Sequence, residues 1–422
     1  MAAFEPKPFF TALFQAAVAA ADPKRTIAKF LPQKPEGRTV VIGAGKGSAQ
    51  MAQALEQAWD GPLEGMVVTR YGYGVPCQRI EVVEAAHPVP DGAGLEGARR
   101  LFETVRGLTE NDLVVALISG GGSALLPSPP EGMTLADEIA VNEALLASGA
   151  PISAMNTVRK HLSTIKGGRL AAAAYPARVV TLVVSDIPGD NPAFVASGPT
   201  VPDHATRQDA LKIVETWRLK MPEAAMRHLA SPAAEAPKPD DRRFAGNEVH
   251  VIASAAVSLE AAAAEARKRG IETAILSDAI EGEAREVAGV HAAIAREIAT
   301  RNRPFARPVL LLSGGETTVT LRGKGGKGGR NAEFLLAFAL AVDGVEGIHA
   351  FAADTDGIDG SEDNAGAFAD FTSTARMRAA GLDPRAMLAR NDAWTAFHTI
   401  GDLFVPGPTG TNVNDLRAML IR

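Results

Sequence analysis

The stretch RTVVIGAGKGSAQMAQALEQAW (38–59) decides the fold class. RTVVIGAG (38–45) is a short apolar run that ends in glycines, and SAQMAQALEQAW (48–59) carries helical spacing. A strand, a glycine turn and a helix form the grammar of a βαβ unit in a parallel sheet. The same grammar continues outward. EGMVVTRY (64–71) and RIEVVEAAH (79–87) read as strands, and AGLEGARRLFETVRGL (93–108) reads as a helix. DLVVALISGGGSALL (112–126) and RVVTLVVSDIPGD (178–190) are again strands that run into glycine or aspartate turns. In such sheets ligands bind beyond the carboxyl ends of the strands, which is where these polar loops fall.

SPAAEAPKPDDRRFAG (231–246) breaks the pattern with three prolines and mixed charge, as an exposed linker does. Beyond it, EVHVIAS (248–254), IETAILS (271–277), PVLLLSGGETTVTL (308–321) and GIHAFAAD (347–354) read as strands between alanine-rich helices. The expectation is an α/β protein of two domains, 1–238 with a mostly parallel sheet and a smaller α/β domain at 239–422.

Composition narrows the function. Of 422 residues, 46% are hydrophobic, 22% charged and only 5% aromatic, so the cores must be built from Ala, Val, Leu and Ile. The net charge of −6 argues against nucleic-acid or membrane partners. The single cysteine, Cys77, excludes a disulfide framework and a cysteine zinc cluster, and fits a reducing cytoplasmic compartment. FFTALFQAAVAAA (9–21) follows Glu5 and Lys7 rather than a basic segment, so it reads as an amphipathic helix and not as a secretion signal. No stretch reaches the ~18–20 apolar residues of a membrane span.

The motifs point to an anion. GAGKGS (43–48) supplies Gly43, Gly45, Lys46 and Gly47. As a dinucleotide fingerprint it is weakened, because Ser48 replaces the third glycine and the second strand ends in Arg70 where an acid belongs, although an NADP site could use that arginine. It fails as a Walker loop, because Val40 holds the first glycine position and Gly47 follows the lysine. What remains is a set of backbone N–H groups at a helix start plus one lysine. SGGGS (119–123) and SGGE (313–316) are strand-end turns whose bare backbone can approach phosphate oxygens, although either alone is equally a plain turn. In NTVRKHLSTIKGGRLA (156–171), Arg159, Lys166 and Arg169 fall on one helical face suited to a carboxylate or phosphate, unless Gly167 and Gly168 break the helix. Asp186 and Asp190 in SDIPGD offer hard oxygen ligands for Mg²⁺. DTDGIDG (354–360) is not a calcium loop, since Ile358 and Ala365 stand where ligands belong. Its Asp354 and Asp356 are instead metal, sugar-hydroxyl or arginine partners. GKGGKGGRN (323–331) is a cationic loop that feeds a helix, with Lys327, Arg330 and Asn331 at the junction. Arginine there can grip a phosphoryl group in bidentate fashion. Together these features point to a nucleoside triphosphate with Mg²⁺.

The segments VIGAGKGSAQMA, LISGGGSALLPSP, NTVRKHLSTIKGGRLA, VVSDIPGDNPAFVASGPTVPD, LLLSGGETTVTLRGKGGKGGRNAEFLLAFA, AADTDGIDGSEDNAGAFAD and TGTNVNDL occur in this order along nearly the whole chain. This pattern resembles the class II glycerate 2-kinases, whose C-terminal part is called the MOFRL domain and whose members often carry a hydroxypyruvate reductase name. The resemblance implies a Rossmann-like first domain, a site in the interdomain cleft, and ATP-dependent phosphorylation of D-glycerate at its 2-hydroxyl. It carries the family's functional lysine and arginine onto Lys46 and Arg330. The remaining expectations follow. Arg159, Ser119, Gly120 and Gly121 bind substrate. Gly43, Gly45, Gly47, Gly122, Ser123, Ser313, Gly314, Gly315, Glu316, Lys327 and Asn331 bind nucleotide. Asp186, Asp190, Asp354 and Asp356 hold metal. The expected cofactors are ATP and Mg²⁺, and a homodimer is left open. The alternatives are an NAD(P)H-dependent hydroxypyruvate reductase and a non-catalytic nucleotide sensor.

Overall fold

The computed structural model describes residues 4–321 and 326–422, so the first three residues of GKGGKGGRN lie outside the described residues. The chain divides into two compact units, Pro23–Ile252 and Met1–Asp22 with Ala253–Arg422. Among the described residues, fourteen strands form three sheets.

The first unit carries β1 (Thr39–Ala44), β2 (Glu64–Arg70), β3 (Ile80–Ala85), β4 (Leu113–Ser119), β5 (Arg178–Val184) and β6 (Glu248–Ala253), in the order β3-β2-β1-β4-β5-β6. The pairings from β3 through β5 are parallel. β1 and β4 are buried along their whole length, as their unbroken apolar runs require of a sheet covered on both faces. The chain runs outward from β1 to β3, returns, and continues through β4 to β5. The switch point therefore lies between the carboxyl ends of β1 and β4.

The second unit carries β7 (Glu272–Ser277), β8 (Gly282–Glu283), β9 (Val309–Ser313), β10 (Thr317–Thr318), β11 (Ile348–Asp354), β12 (Gly366–Asp370), β13 (Leu403–Phe404) and β14 (Asp415–Ile421). Its main sheet has the order β13-β12-β11-β14-β9-β7 and is mostly antiparallel, with only β7 and β9 running parallel, while β8 and β10 form a separate pair. Four of its strands, β8, β12, β13 and β14, lie outside the segments that the sequence pattern reads as strands.

The boundary expected at 238/239 falls elsewhere. Segment 231–246 is not a free linker. It buries Ala234 and Ala236, and Arg169 holds it by donating to the Ala234 and Glu235 carbonyls at 3.0 and 3.1 Å. β6 then joins the first sheet, so the division comes at its end. The N-terminal helix Pro6–Ala21 belongs to the second unit. It buries Phe9, Phe10, Leu13, Phe14 and Ala17 and stacks Phe10 on Phe351 at 5.8 Å. No helix of the described residues is long and apolar enough to cross a membrane.

Candidate active site

The two glycine turns at the switch point are tied to each other. Lys46 N–H donates to the Gly120 carbonyl at 2.8 Å, and Gly47 N–H donates to Ser119 Oγ at 2.9 Å. Ser48 Oγ donates to the Leu117 carbonyl at 2.9 Å. The sequence permits this only with glycine. Gly45 has φ 143°, and a Cβ there would overlap Ser119. Gly120 leaves room for the Asp186 carboxylate at the end of β5. Gly121, at φ 80°, lies beneath Lys46 and His87, since a Cβ on it would stand 3.1 Å from Lys46 Cγ and 3.0 Å from His87 Nε2. Lys46, His87, the Gly120–Gly121 turn and Asp186 thus gather beyond the ends of β1, β3, β4 and β5. Burial, followed by the charges of Lys46 and Arg70, pushes the His87 imidazole down to about 4, so it is neutral at neutral pH.

Ser123 and Ser119 work inside this scaffold. Ser123 Oγ bonds Ser197 Oγ at 2.9 Å, and Ser197 donates to Asn156 Oδ1 at 2.9 Å. The chain around Ser197 is strained, for Asp190, Ala196 and Ser197 all have positive φ (52°, 54° and 59°). Left-handed non-glycine residues cost on the order of 1–3 kcal/mol each and gather at functional sites. Gly43 is not a loop residue. It pairs with Val67 and Leu117 inside the sheet, where its missing side chain serves close packing against the Leu117 carbonyl.

The cationic face expected along 156–171 does not form. The helix ends at His161, and the next begins at Arg169, after Gly167 and Gly168 take left-handed φ of 64° and 81°. Lys166 is buried on Glu138 at 2.7 Å, and Arg169 donates to backbone carbonyls. Arg159 Nε donates to Asn142 Oδ1 at 2.8 Å.

In the second unit Arg330 opens the helix Arg330–Ala341, and each of its nitrogens donates to a carboxylate. Nε reaches Asp415 at 2.8 Å, Nη1 reaches Glu316 at 2.7 Å and Nη2 reaches Asp354 at 2.5 Å. Burial opposes the Arg330 charge, but Asp415, Asp354 and Glu316 outweigh it and hold the guanidinium above its usual range. Asp415 also accepts from Asn331 Nδ2 at 2.8 Å and from the buried Arg417 at 2.5 Å. The helix start, expected to face an anionic ligand, is capped from within. Asn331 N–H and Ala332 N–H donate to the two Asp359 oxygens at 2.9 and 2.8 Å. Burial pushes the Asp359 carboxyl up to about 6. Burial and the Asp415 charge hold Asp354 well above the usual carboxylate range.

Several expected nucleotide contacts in this unit have partners within it. Ser313 is fully buried, with His291 Nε2 2.9 Å from its Oγ, and Asn331 is fully buried beside Asp415. The Gly314 carbonyl accepts from Arg417 Nη1 at 3.3 Å, and the Gly315 carbonyl accepts from Asp415 N–H at 3.2 Å. Lys327 is exposed, pairs with Glu362 at 3.2 Å and lies over the Trp394 ring. Glu316 faces Arg330.

Among the described residues, no three His, Cys, Asp or Glu side chains converge as a metal site. Asp354 is taken by Arg330 and by Asp356 N–H, while Asp356 accepts from Ile358 N–H at 2.9 Å and faces Asn412. Neither fits a cation directly. The Asp186 carboxylate lies beside Gly120. Sequence reasoning missed His87, Asn156, Ser197 and Asp415, and weighed Arg70 only within the dinucleotide reading, as a missing acid or an NADP arginine.

Comparison with known proteins places the chain in a family. A family model described as "Domain of unknown function (DUF4147)" matches residues 9–230, and one described as "MOFRL family" matches residues 309–415. A relative from Thermotoga maritima named D-glycerate 2-kinase is 40% identical over 401 residues, covering 94% of each chain. The chain belongs to the MOFRL-type glycerate 2-kinase family. Another member, from Agrobacterium vitis, is 55% identical over 97% of this chain and 93% of its own and carries a hydroxypyruvate reductase name. The crystal structure of a Thermotoga maritima glycerate kinase matches with a TM-score of 0.89 at 38% identity, over 99% of each chain. The fold of this MOFRL-type chain is therefore the fold of a glycerate kinase.

Proposed function

We propose that this chain transfers the γ-phosphoryl group of ATP to the 2-hydroxyl of D-glycerate, giving 2-phosphoglycerate and ADP. One observation carries the reading. Lys46 stands over two mutually hydrogen-bonded glycine turns at the switch point of a parallel sheet, in a chain 40% identical to a protein named D-glycerate 2-kinase. Phosphoryl transfer needs positioning and charge stabilisation more than covalent help. Lys46 supplies a cation to the transferring group, and the bare backbone of Gly120 and Gly121 lets phosphate oxygens come close. Arg330 is the second cation in this account, held in one orientation by its three carboxylates. Mg²⁺ neutralises phosphate charge when bound, with Asp186 and Asp190 as the proposed carboxylates. A cytoplasmic site of action fits the single cysteine. The test is ADP formation from ATP and D-glycerate in the presence and absence of Mg²⁺. No glycerate-dependent ADP would overturn the reading.

The Agrobacterium vitis relative's name favours a second reading, reduction of hydroxypyruvate by NAD(P)H. Two residues speak against it. Ser48, in place of the third fingerprint glycine, is fully buried with its hydroxyl committed to Leu117, and Arg70 ends β2 where NAD needs a ribose-binding acid, which leaves only NADP for that reading. Oxidation of NADH or NADPH by hydroxypyruvate, without glycerate-dependent ADP, would establish that second reading.

A further inference from the structure

We propose that Arg70, His87 and Lys46 form an oxyanion subsite, in which Arg70 and His87 hold the carboxylate of the 2-hydroxy acid while Lys46 serves the phosphoryl group. This deepens the kinase reading and rests on it. Arg70 ends β2, His87 follows β3 and Lys46 follows β1, so three adjacent strands deliver the three groups to one end of the sheet. Lys46 and His87 both meet the face of Gly121, at 3.1 and 3.0 Å from where its Cβ would be. Arg70 Cζ lies over the Tyr73 ring, 4.3 Å from its centre. All three groups are partly exposed.

Lys46 and Arg70 are both cationic, and the carboxylate nearest this turn is Asp186 beside Gly120. Among the described residues neither Lys46 nor Arg70 forms an ion pair, and the His87 ring makes no hydrogen bond. The acids on the same segments are committed. Glu84 accepts the Gly72 and Gly74 N–H groups at 3.0 and 2.9 Å, and Asp91 accepts from Gly94 N–H at 3.0 Å and from Tyr71 Oη at 2.8 Å. Arg330, by contrast, already has three carboxylates. Burial is the main cause of the low His87 pKa, but the charges of Lys46 and Arg70 add to it, and a bound anion would offset that added part. A planar carboxylate matches the arginine fork and an imidazole N–H, whereas the lysine is a point charge suited to phosphoryl oxygens. In this proposal Arg70 and His87 take the role expected of Arg159, whose Nε donates to Asn142.

Two measurements test this. In steady-state kinetics, Arg70→Gln and His87→Gln should each raise the D-glycerate KM by about ten- to a hundredfold and leave the ATP KM nearly unchanged. In the wild-type protein without ATP, saturating D-glycerate should shift the His87 ring resonances and raise its pKa in a nitrogen NMR titration. If His87 responds to D-glycerate but no ADP forms, the kinase reading falls and the subsite stands. If the variants raise the ATP KM instead, the anion is a nucleotide phosphate and the carboxylate assignment is overturned. A His87 signal indifferent to D-glycerate overturns it as well.

Discussion

Gly121→Ala tests whether Lys46 and His87 act together over one glycine. Its effect separates into two parts. Gly121 has φ 80°, and an L-residue in the left-handed region costs about 1–2 kcal/mol. Gly107 supplies the control, because it has φ 72° and nothing within 4 Å of a would-be Cβ, so Gly107→Ala carries the backbone cost alone. At Gly121 the new methyl also stands 3.0 Å from His87 Nε2 and 3.1 Å from Lys46 Cγ. Both neighbours are side chains that can yield by a few tenths of an ångström, so crowding adds only about 1 kcal/mol. Activity is more sensitive than stability here. A misplacement near 1 Å at a reacting centre costs ~10²-fold, so a smaller shift of Lys46 should lower kcat about tenfold. Urea unfolding of both variants gives the stability cost, and ADP release at saturating substrates gives kcat. Wild-type kcat in Gly121→Ala, with a stability loss equal to that of Gly107→Ala, would refute the convergence of Lys46 and His87 at this turn.

Lys46→Ala should lower kcat and kcat/KM together by ~10²–10³, as expected when a charge-stabilising group is lost. If Arg330 acts on the same phosphoryl group, the double variant Lys46→Ala with Arg330→Ala should be no worse than the poorer single variant; effects that simply multiply would separate the two. Arg330→Ala should also destabilise the fold by on the order of 3 kcal/mol, because it strands Asp354 and Asp415, so unfolding curves must accompany its kinetics. Asp359 gives a pH signature. Its carboxyl lies at about 6 in the fold against about 3.9 in unfolded chains, so its contribution is full below about pH 4 and is lost as pH rises through 6. Stability measured against Asp359→Asn should therefore shift toward the variant by roughly 2–3 kcal/mol between pH 4 and 7, and a constant difference would contradict the burial argument.

The first unit was legible in the sequence because parallel strands buried on both faces leave unbroken apolar runs that end in glycine turns. The second sheet was less legible. β9 and β11 look like parallel strands for the same reason, since an apolar run does not record the direction of its neighbours. The home of the N-terminal helix was hidden because its phenylalanines fit any apolar face, and only long-range contact with Phe351 and Phe404 decides it. Lys46 and Gly120–Gly121 were found from local chemistry, whereas His87 was not, since a lone histidine after a strand carries no pattern. Arg330 was noticed for its positive charge, but its three carboxylates come from β11, β14 and the loop after β9, far apart in sequence. The basic face on 156–171 misled because helical spacing was carried across Gly167 and Gly168, where the backbone turns left-handed.

Phosphorus NMR of the product made from ATP and D-glycerate tests the central claim most directly. The account predicts a single new phosphomonoester, 2-phosphoglycerate, formed together with ADP. A 3-phosphoglycerate signal would contradict transfer to the 2-hydroxyl, and no phosphoglycerate at all would contradict the kinase.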